Sequence, residues 1–288
     1  MTMSGVSDIS PADILSKRIL VLAPHMDDEY LGCGGTMLMH EDKSQVFCLY
    51  ATDGTRSPSP LLPWDGKTPP DIRDRRRREV HEVMAKTGVP AENLVFLELP
   101  DGRLSRRKGS LRRRLRQEFD RIRPAFVLAP FRYDLHSDHV ALSDTARHVL
   151  RETSIECCLL EYFVYFRWRL IPGGDIRELI PSTRLVTVDT SSVNERKSSM
   201  IRLYRSQTEL LEEWQDAPIL TDRSIGQRCS QPEVYLVAEP GRPKSMVFAS
   251  KRPRILLAHY VERYGKRPKD QAMALLRRLT SLPGTRNA

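Results

Sequence analysis

The sequence lacks a long apolar run. No stretch of its 288 residues reaches the length of a membrane-spanning helix, which is roughly 18 to 20 apolar residues. Residues 1–17 are acidic and polar and contain no apolar core of a signal peptide, so we expect a cytoplasmic protein. The hydrophobic share of 40% is enough for one full-sized core, with or without a small appendage.

Cysteine is also scarce. The chain has five cysteines, of which Cys157 and Cys158 are adjacent, and none is spaced as CxxC. This pattern excludes a disulfide framework and a cysteine-based zinc site, so we expect the cysteines to pack in the core. The dinucleotide-binding pattern GxGxxG is missing as well. We therefore interpret the glycines of Gly32-Cys33-Gly34-Gly35 as positions where a helix packs closely on a strand.

Acidic residues are too few to balance the basic ones. There are 46 Lys and Arg against 37 Asp and Glu, which gives a net charge of +9. The arginines concentrate in residues 73–78, in residues 103–116 and from residue 242 onward. They are not interleaved with aromatic residues and belong to no nucleic-acid-binding motif, so we expect no nucleic-acid partner. We favour a phosphate- or lipid-bearing substrate as the partner of these basic residues. Peripheral contact with a membrane stays open. An arginine-rich background composition explains the charge equally well.

Predicted strands and helices alternate along the chain. The apolar runs predict strands at 19–23, 46–51, 94–97, 126–129 and 156–162. The segments between them predict helices at 34–41, 73–86, 111–122 and 139–151. This order predicts an α/β fold with a Rossmann-like, mostly parallel sheet flanked by helices. After residue 182 we expect a strand at 184–189, a helix at 193–205 and a strand at 233–238. We predict one domain over residues 1–240 and a small C-terminal extension, basic and helical, over residues 241–288.

The most informative motif follows the first predicted strand. The run Pro24-His25-Met26-Asp27-Asp28-Glu29 places an imidazole and adjacent carboxylates at the carboxyl end of that strand, where open α/β sheets have their active sites. His25 and Asp28 are three residues apart and can both reach one divalent cation. Asp27, which lies between them, stays free to act on water beside that cation.

A second motif, His136-Ser137-Asp138-His139, follows the predicted strand at 126–129. Because parallel strands end at the same edge of a sheet, this motif supplies the third ligand of an open, catalytic metal site. Asp138 is suited to hold an imidazole in one tautomer and one charge state. It is equally suited to be the N-cap of the following helix, and the two interpretations are compatible.

A proline-rich loop separates two of the predicted elements. Residues 56–70 contain five prolines and few charges, which favours an ordered lid or rim over both regular structure and disorder. Trp64 in this loop is a candidate for stacking on a sugar ring. Anchoring of the loop is the more usual role of such an aromatic residue.

Together these motifs resemble the signature of the LmbE-like family, also named the N-acetylglucosaminyl-phosphatidylinositol de-N-acetylase (PIG-L) family. The family pattern is AHPDDE, whereas this chain has Ala23-Pro24-His25-Met26, with the proline before the histidine. Further similarities are Gly32-Cys33-Gly34-Gly35, Thr52-Asp53-Gly54, Arg76 with Glu79, Pro100-Asp101-Gly102, and Tyr204 with Ser206-Gln207. The resemblance covers roughly residues 18–238, and it implies metal-dependent deacetylation of N-acetylated amino sugars.

The resemblance also implies a role for each matched residue. It implies that His25, Asp28 and His139 bind a divalent cation, for which we predict Zn²⁺ from the ligand types, while Fe²⁺ suits the same ligands. Asp27 would then be the general base. His136, if protonated, would stabilise the oxyanion of the tetrahedral intermediate.

Three residues are candidates for substrate binding. The resemblance implies that Arg76 contacts a hydroxyl or phosphate of the substrate, although an i,i+3 ion pair with Glu79 is the simpler interpretation. Asp53 is a candidate on the same resemblance, and Trp64 is the third.

The sequence therefore predicts a zinc-dependent N-deacetylase acting on an N-acetylhexosamine in a glycoside, glycolipid or secondary metabolite. The expected partner is a small-molecule or lipid-linked N-acetylated sugar, and homo-oligomer formation stays open. One alternative is a metallo-amidase for a non-sugar N-acyl amine. From another class, the alternative is a non-catalytic binding protein of the same fold.

Overall fold

One seven-stranded sheet organises the part of the chain that the structure describes. The structure is a computed structural model, and it describes residues 9–59, 67–134, 136–165, 175–180 and 182–238. The strands are β1 (Ile19–Ala23), β2 (Val46–Thr52), β3 (Leu94–Leu99), β4 (Phe126–Pro130), β5 (Cys158–Tyr162), β6 (Leu185–Val188) and β7 (Glu233–Ala238). Their order is β3-β2-β1-β4-β5-β7-β6. The first five strands in this order run parallel, whereas β7 pairs antiparallel with both β5 and β6.

Helices cover the two faces of this sheet. Within the described residues they are α1 (Pro11–Ser16), α2 (Asp28–Met39), α3 (Ile72–Thr87), α4 (Lys108–Ile122), α5 (Ser137–Glu152), α6 (Asn194–Ile201), α7 (Arg205–Thr208) and α8 (Asp222–Cys229). Short 3₁₀ turns lie at Lys43–Gln45, Ala91–Asn93, Leu104–Arg106, Ile176–Leu179, Ser182–Arg184 and Ser191–Val193.

Two apolar cores lie on opposite faces of the sheet. Every residue of β1 and β4 is buried, as expected for parallel strands covered on both sides. Val21 belongs to the core that α2 and α3 complete, whereas its neighbour Leu20 belongs to the core that α4 and α5 complete. Because successive side chains of a strand point to opposite faces of the sheet, β1 contributes residues to both cores.

Helix α2 brings its first turn directly onto the end of β1. The helix begins at Asp28, not at residue 34 as predicted, and its first turn carries Asp28 and Glu29, where the helix dipole favours negative charge. The predicted close packing of the glycines is confirmed. A Cβ atom on Gly32 would lie 2.1 Å from Cδ2 of Tyr162 in β5, so only glycine allows this approach.

The predicted Rossmann-like, mostly parallel α/β fold is confirmed. The continuous helix predicted at 193–205 is wrong, because α6 ends at Ile201 and α7 starts at Arg205, with the buried Tyr204 between them. Strands β6 and β7 extend the same sheet. Trp64 and the extension predicted at 241–288 lie outside the described residues, so the predicted domain boundary stays a prediction.

Two further observations agree with the composition. All five cysteines are free, and Cys33, Cys48 and Cys229 are buried. No helix in the described segments combines the length and the apolar character that crossing a bilayer requires.

Candidate metal and catalytic site

The two sequence motifs meet at the carboxyl ends of β1 and β4. These strands are neighbours at the centre of the sheet, and the chain leaves them towards opposite edges, β2 and β3 on one side and β5 on the other. Open α/β sheets bind ligands in the crevice at such a switch point. His25 follows β1, and the motif with His136 and His139 follows β4.

One carboxylate oxygen lies between two imidazoles. Asp28 Oδ2 is 3.0 Å from His25 Nδ1 and 3.2 Å from His139 Nε2. Burial disfavours the charged carboxylate, but the rings of His139 and His25 outweigh it and hold the pKa of Asp28 well below its usual range. Nitrogen atoms of His25, His136 and His139 also lie within 4.8 Å of one another. The structure thus brings together every residue predicted to bind the cation.

Further carboxylates stand behind the imidazoles. His25 Nε2 lies 3.3 Å from Asp101 Oδ1 and 3.5 Å from Asp138 Oδ2. His139 Nδ1 lies 3.3 Å from Asp134 Oδ2, and both of these buried atoms lack a hydrogen bond of good geometry. An acid behind each ring fixes ring orientation and raises ring basicity, as it does for metal-binding histidines.

The charges of this cluster suit a cation. Five buried carboxylates, those of Asp27, Asp28, Asp101, Asp134 and Asp138, surround the three imidazoles. Burial favours a neutral ring at His139, but the nearby Asp28 and Asp134 raise its pKa to about 9. The acids therefore favour positive charge on the rings of His25 and His139, and a divalent cation would supply that charge in place of protons. The donor set, imidazole with carboxylate, suits Zn²⁺ or Fe²⁺.

The surroundings of His136 favour a neutral ring with its proton on Nε2. Its Nδ1 accepts the backbone N–H of Asp138 at 3.2 Å, which leaves the ring proton on Nε2. Burial and the neighbouring rings of His25 and His139 lower the pKa of His136 to about 3. The condition placed on His136 in the sequence prediction, that it be protonated, is thus not met in this arrangement. A neutral ring still offers one hydrogen-bond donor.

Asp138 holds a neighbouring loop. Its two oxygens accept the backbone N–H groups of Gly102 at 2.7 Å and Leu104 at 3.0 Å. The interpretation of Asp138 as an N-cap is wrong, because α5 begins at Ser137 and its N-cap is His136. The predicted contact of Asp138 with an imidazole is present at His25.

Asp27 has different neighbours from Asp28. Its Oδ1 accepts a hydrogen bond from Nη2 of Arg76 at 3.1 Å, and its backbone N–H donates one to Glu29 Oε2 at 3.0 Å. Burial raises the pKa of Asp27, and the Arg76 guanidinium opposes this shift. Glu29 in turn accepts the hydroxyl groups of Tyr50 and Tyr204 on Oε1, and burial raises its pKa to about 8.

The residues predicted to bind substrate occupy varied positions. Arg76 is buried and contacts Asp27 and the carbonyl of Met26, with no ion pair to Glu79. Asp53 Oδ1 accepts the backbone N–H of Asp101 at 3.2 Å and so supports the acid beside His25. Their contact with a substrate stays a prediction, and so does that of Trp64, which is not among the described residues.

Sequence reasoning missed three acids of this site. Asp101 lies in a matched segment after β3 and Asp134 lies shortly after β4, so a carboxylate close behind a strand end was the available signal. Glu29 was part of the first motif but received no role. Its position next to two acids in a buried first turn was the signal there.

Comparisons with known proteins agree with this arrangement. Residues 20–150 match the family model named GlcNAc-PI de-N-acetylase, PIG-L. Comparison with curated proteins gave no match.

Three solved structures illustrate the shared fold. The conserved protein TT1542 from Thermus thermophilus is 24% identical, with a TM-score of 0.55, over 80% of this chain and 98% of that chain. The N,N′-diacetylchitobiose deacetylase from Pyrococcus horikoshii is 20% identical, with a TM-score of 0.52, over 78% and 84%. GalB, the 4-carboxy-2-hydroxymuconate hydratase from Pseudomonas putida, is 17% identical, with a TM-score of 0.52, over 80% and 98%. The match to the PIG-L family model covers residues 20–150, which carry the three imidazoles and the acids around them.

Proposed function

We propose that this protein is a metal-dependent hydrolase that removes the acetyl group from an N-acetylhexosamine unit. One observation carries the proposal. The carboxylate of Asp27 lies beside the cluster of His25, Asp28 and His139 but is bonded to Arg76 instead of to an imidazole. Amide hydrolysis needs this combination of a cation site and a nearby base that is not itself a ligand.

His25, Asp28 and His139 are the residues we propose as ligands, with Zn²⁺ first and Fe²⁺ second. When bound, such a cation lowers the pKa of water and polarises a carbonyl oxygen. Asp101, Asp138 and Asp134 then keep the two imidazoles in place through the ring nitrogens that face away from Asp28.

Asp27 and His136 divide the proton chemistry. Asp27 accepts a proton from the attacking water and returns it to the departing amine, for which its raised pKa is favourable. His136 donates its Nε2–H to the oxygen of the acetamide as negative charge develops there. Loss of such a donor typically costs about a hundredfold in rate or more.

The choice of an N-acetylated sugar rests on the comparisons. The matching family model is named for GlcNAc-PI, and the Pyrococcus protein for N,N′-diacetylchitobiose. GalB shares the fold and is named a hydratase, so the fold does not select the reaction. A metallo-amidase for a non-sugar amine remains the second candidate, because the same cation and base would hydrolyse any acetamide.

A basic rim beside the site favours an anionic substrate, such as a sugar phosphate or a phosphodiester-linked sugar. We define this rim as Arg56 and Arg103, both exposed; Arg103 lies between Gly102 and Leu104, the two residues that donate to Asp138. The guanidinium of Arg56 lies over Gly102, where a Cβ would be 3.0 Å from Nη1, and its backbone N–H donates to Asp101. In the described part of the chain, no rim side chain has an ion-pair partner, whereas Arg77, Arg112 and Arg116 are paired. Unpaired positive charge next to an active site attracts anions.

Acetate release from a panel of acetamides tests the proposal. The protein is stripped with a chelator, reloaded with Zn²⁺ or Fe²⁺, and given N-acetylglucosamine, N,N′-diacetylchitobiose, N-acetylglucosamine 1-phosphate and a non-sugar N-acetyl amine. We expect cation-dependent acetate release from a sugar, with Asp27→Asn as the inactive control. Release from the non-sugar amine alone would identify the metallo-amidase. Sugar binding without any release would identify a binding protein.

A further inference from the structure

A short turn from the C-terminal half of the described chain reaches the site from behind. This turn, residues 204–207, consists of Tyr204 and the first three residues of α7, and it lies outside the region that matches the family model. Tyr204, Ser206 and Gln207 are buried, and Gln207 N–H closes the turn on the carbonyl of Tyr204 at 2.8 Å. These three side chains contact three different segments around Asp27.

Tyr204 contacts the residue that holds the backbone of Asp27. Its hydroxyl donates to Glu29 Oε1, an oxygen that also accepts Tyr50. The other oxygen of Glu29 accepts the backbone N–H of Asp27 at 3.0 Å. The carboxyl group of Glu29 therefore links the turn to the main chain of the proposed base.

Ser206 contacts the helix that holds the carboxylate of Asp27. Its backbone N–H and hydroxyl donate to Glu79 at 2.8 and 2.5 Å. Glu79 lies in α3 one turn after Arg76, whose Nη2 donates to Asp27 Oδ1. The turn thus fixes α3 next to the residue that orients the proposed base.

Gln207 contacts the loop after β2. Its side chain accepts the hydroxyl of Ser57 at 2.8 Å and donates to the Ser57 carbonyl at 3.2 Å. The carbonyl of Gly54, at the start of that loop, accepts Nη1 of Arg76 at 3.3 Å. Gln207 and the guanidinium of Arg76 therefore contact the same loop.

We propose that the 204–207 turn is a positioning element for Asp27. It holds the main chain of Asp27 through Glu29 and the carboxylate of Asp27 through α3 and Arg76. The proposal rests on the proposed function in one respect, namely that Asp27 is the base. Ligands of the cation are outside this network, because His25 and His139 have no contact with the turn among the described hydrogen bonds.

Tyr204→Phe tests the proposal against a matched control. The control is Tyr30→Phe, since Tyr30 is also a buried tyrosine, its ring lies 6.2 Å from that of Tyr204, and its hydroxyl contacts Thr87 instead of Glu29. Each variant loses one buried hydroxyl. For Tyr204→Phe we expect kcat to fall roughly tenfold with KM and bound cation unchanged, and for Tyr30→Phe we expect kcat to stay within about twofold. Equal losses in the two variants would show a merely structural hydroxyl and overturn the proposal.

Combination with Asp27→Asn separates positioning from general stability. If Tyr204 acts through Asp27, then Tyr204→Phe should cause no further loss of kcat in the Asp27→Asn background, because the group being positioned is gone. A full additional tenfold loss there would contradict the proposal. Should Tyr204→Phe fail to fold, Ser206→Ala carries the same comparison, with Ser199→Ala as its control on an exposed helix face.

A measurement without activity keeps this proposal distinct from the proposed function. The backbone N–H of Asp27 donates to Glu29 Oε2 and to the carbonyl of His25, so a change in its hydrogen exchange when Tyr204 is altered reports on the bond to Glu29. We expect exchange to become faster in Tyr204→Phe and not in Tyr30→Phe. Unchanged exchange would overturn the positioning role even in an active enzyme. If the wild type released no acetate but exchange were still faster in Tyr204→Phe, the proposed deacetylase function would be overturned. The link between the turn and Asp27 would then still stand.

Discussion

Asp27 and Asp28 are adjacent in the chain, but two different regions of the molecule surround their carboxylates. Asp28 lies between the imidazoles of His25 and His139, which lower its pKa against the effect of burial. Asp27 faces Arg76, and burial raises its pKa despite that guanidinium. Opposite pKa shifts in neighbouring acids suit the different roles that we propose, ligand for Asp28 and base for Asp27.

The difference also has a topological side. The surroundings of Asp28 come from the ends of β1 and β4 and the turns that follow them. The surroundings of Asp27 come from α3 and, through Glu29, from the 204–207 turn. The proposed cation site thus lies at strand ends of the parallel half of the sheet, and the proposed base beside it contacts a helix and, through Glu29, a distant turn.

The largest expected effect concerns the surroundings of Asp28. Substituting His139 by Ala removes one proposed ligand and leaves Asp28 and Asp134 without their shared imidazole, so we expect loss of bound cation and of all turnover. Metal analysis after dialysis and acetate release check this. His148→Ala in the same helix is the control, because His148 is exposed and pairs only with Glu152 among the described contacts. Stoichiometric cation in the His139 variant would remove His139 from the ligand set.

The next effect concerns Asp27 and should spare the cation. Asp27→Asn keeps the shape of the side chain and removes the proton acceptor, so we expect turnover to fall by about a hundredfold or more, the usual contribution of a general base. Bound cation should stay near the wild-type amount. If activity instead falls in proportion to lost cation, then Asp27 is a ligand, and the contrast between the two acids is wrong.

Much of this contrast was present in the sequence. The apolar runs of β1 and β4 predicted where two strands end, and the parallel order of the sheet predicted that His25 and His139 would meet. The partners of those groups were not predictable in the same way. Asp101 reaches His25 from the end of β3, and Tyr204 reaches Glu29 from beyond β5. Such contacts depend on how layers pack, and no local period in the sequence records them.

Arg76 shows the same limit at one residue. Its position in α3 was predicted, and its matched motif suggested a substrate contact. The side chain is buried, however, and its guanidinium lies against Asp27 and main-chain carbonyls. A helical position indicates which face a residue occupies, but the partner on that face is set by tertiary packing.

A substitution at Arg76 sharpens the comparison further. Arg76→Lys keeps the charge but cannot donate to Asp27, Met26 and Gly54 together, because an ammonium lacks the planar fork. We expect kcat to fall roughly tenfold to a hundredfold with little change in KM, since a displaced base slows the chemical step. Steady-state kinetics measures both constants. A rise in KM at constant kcat would instead support a contact between Arg76 and the substrate.

The smallest expected effect lies at the basic rim, outside the surroundings of both acids. Arg56→Gln should raise KM for N-acetylglucosamine 1-phosphate roughly two- to fivefold, the range of an exposed ion pair, and leave KM for N-acetylglucosamine nearly unchanged. Added salt should shrink the difference between the two substrates in the wild type, because exposed charges are screened. Arg112→Gln is the control, since Arg112 is also exposed but is paired with Glu152. The same KM for both substrates at low and high salt would show that the rim arginines do not contribute to substrate binding. Substrate recognition would then be confined to the proposed cation site and the two loops that carry its histidines.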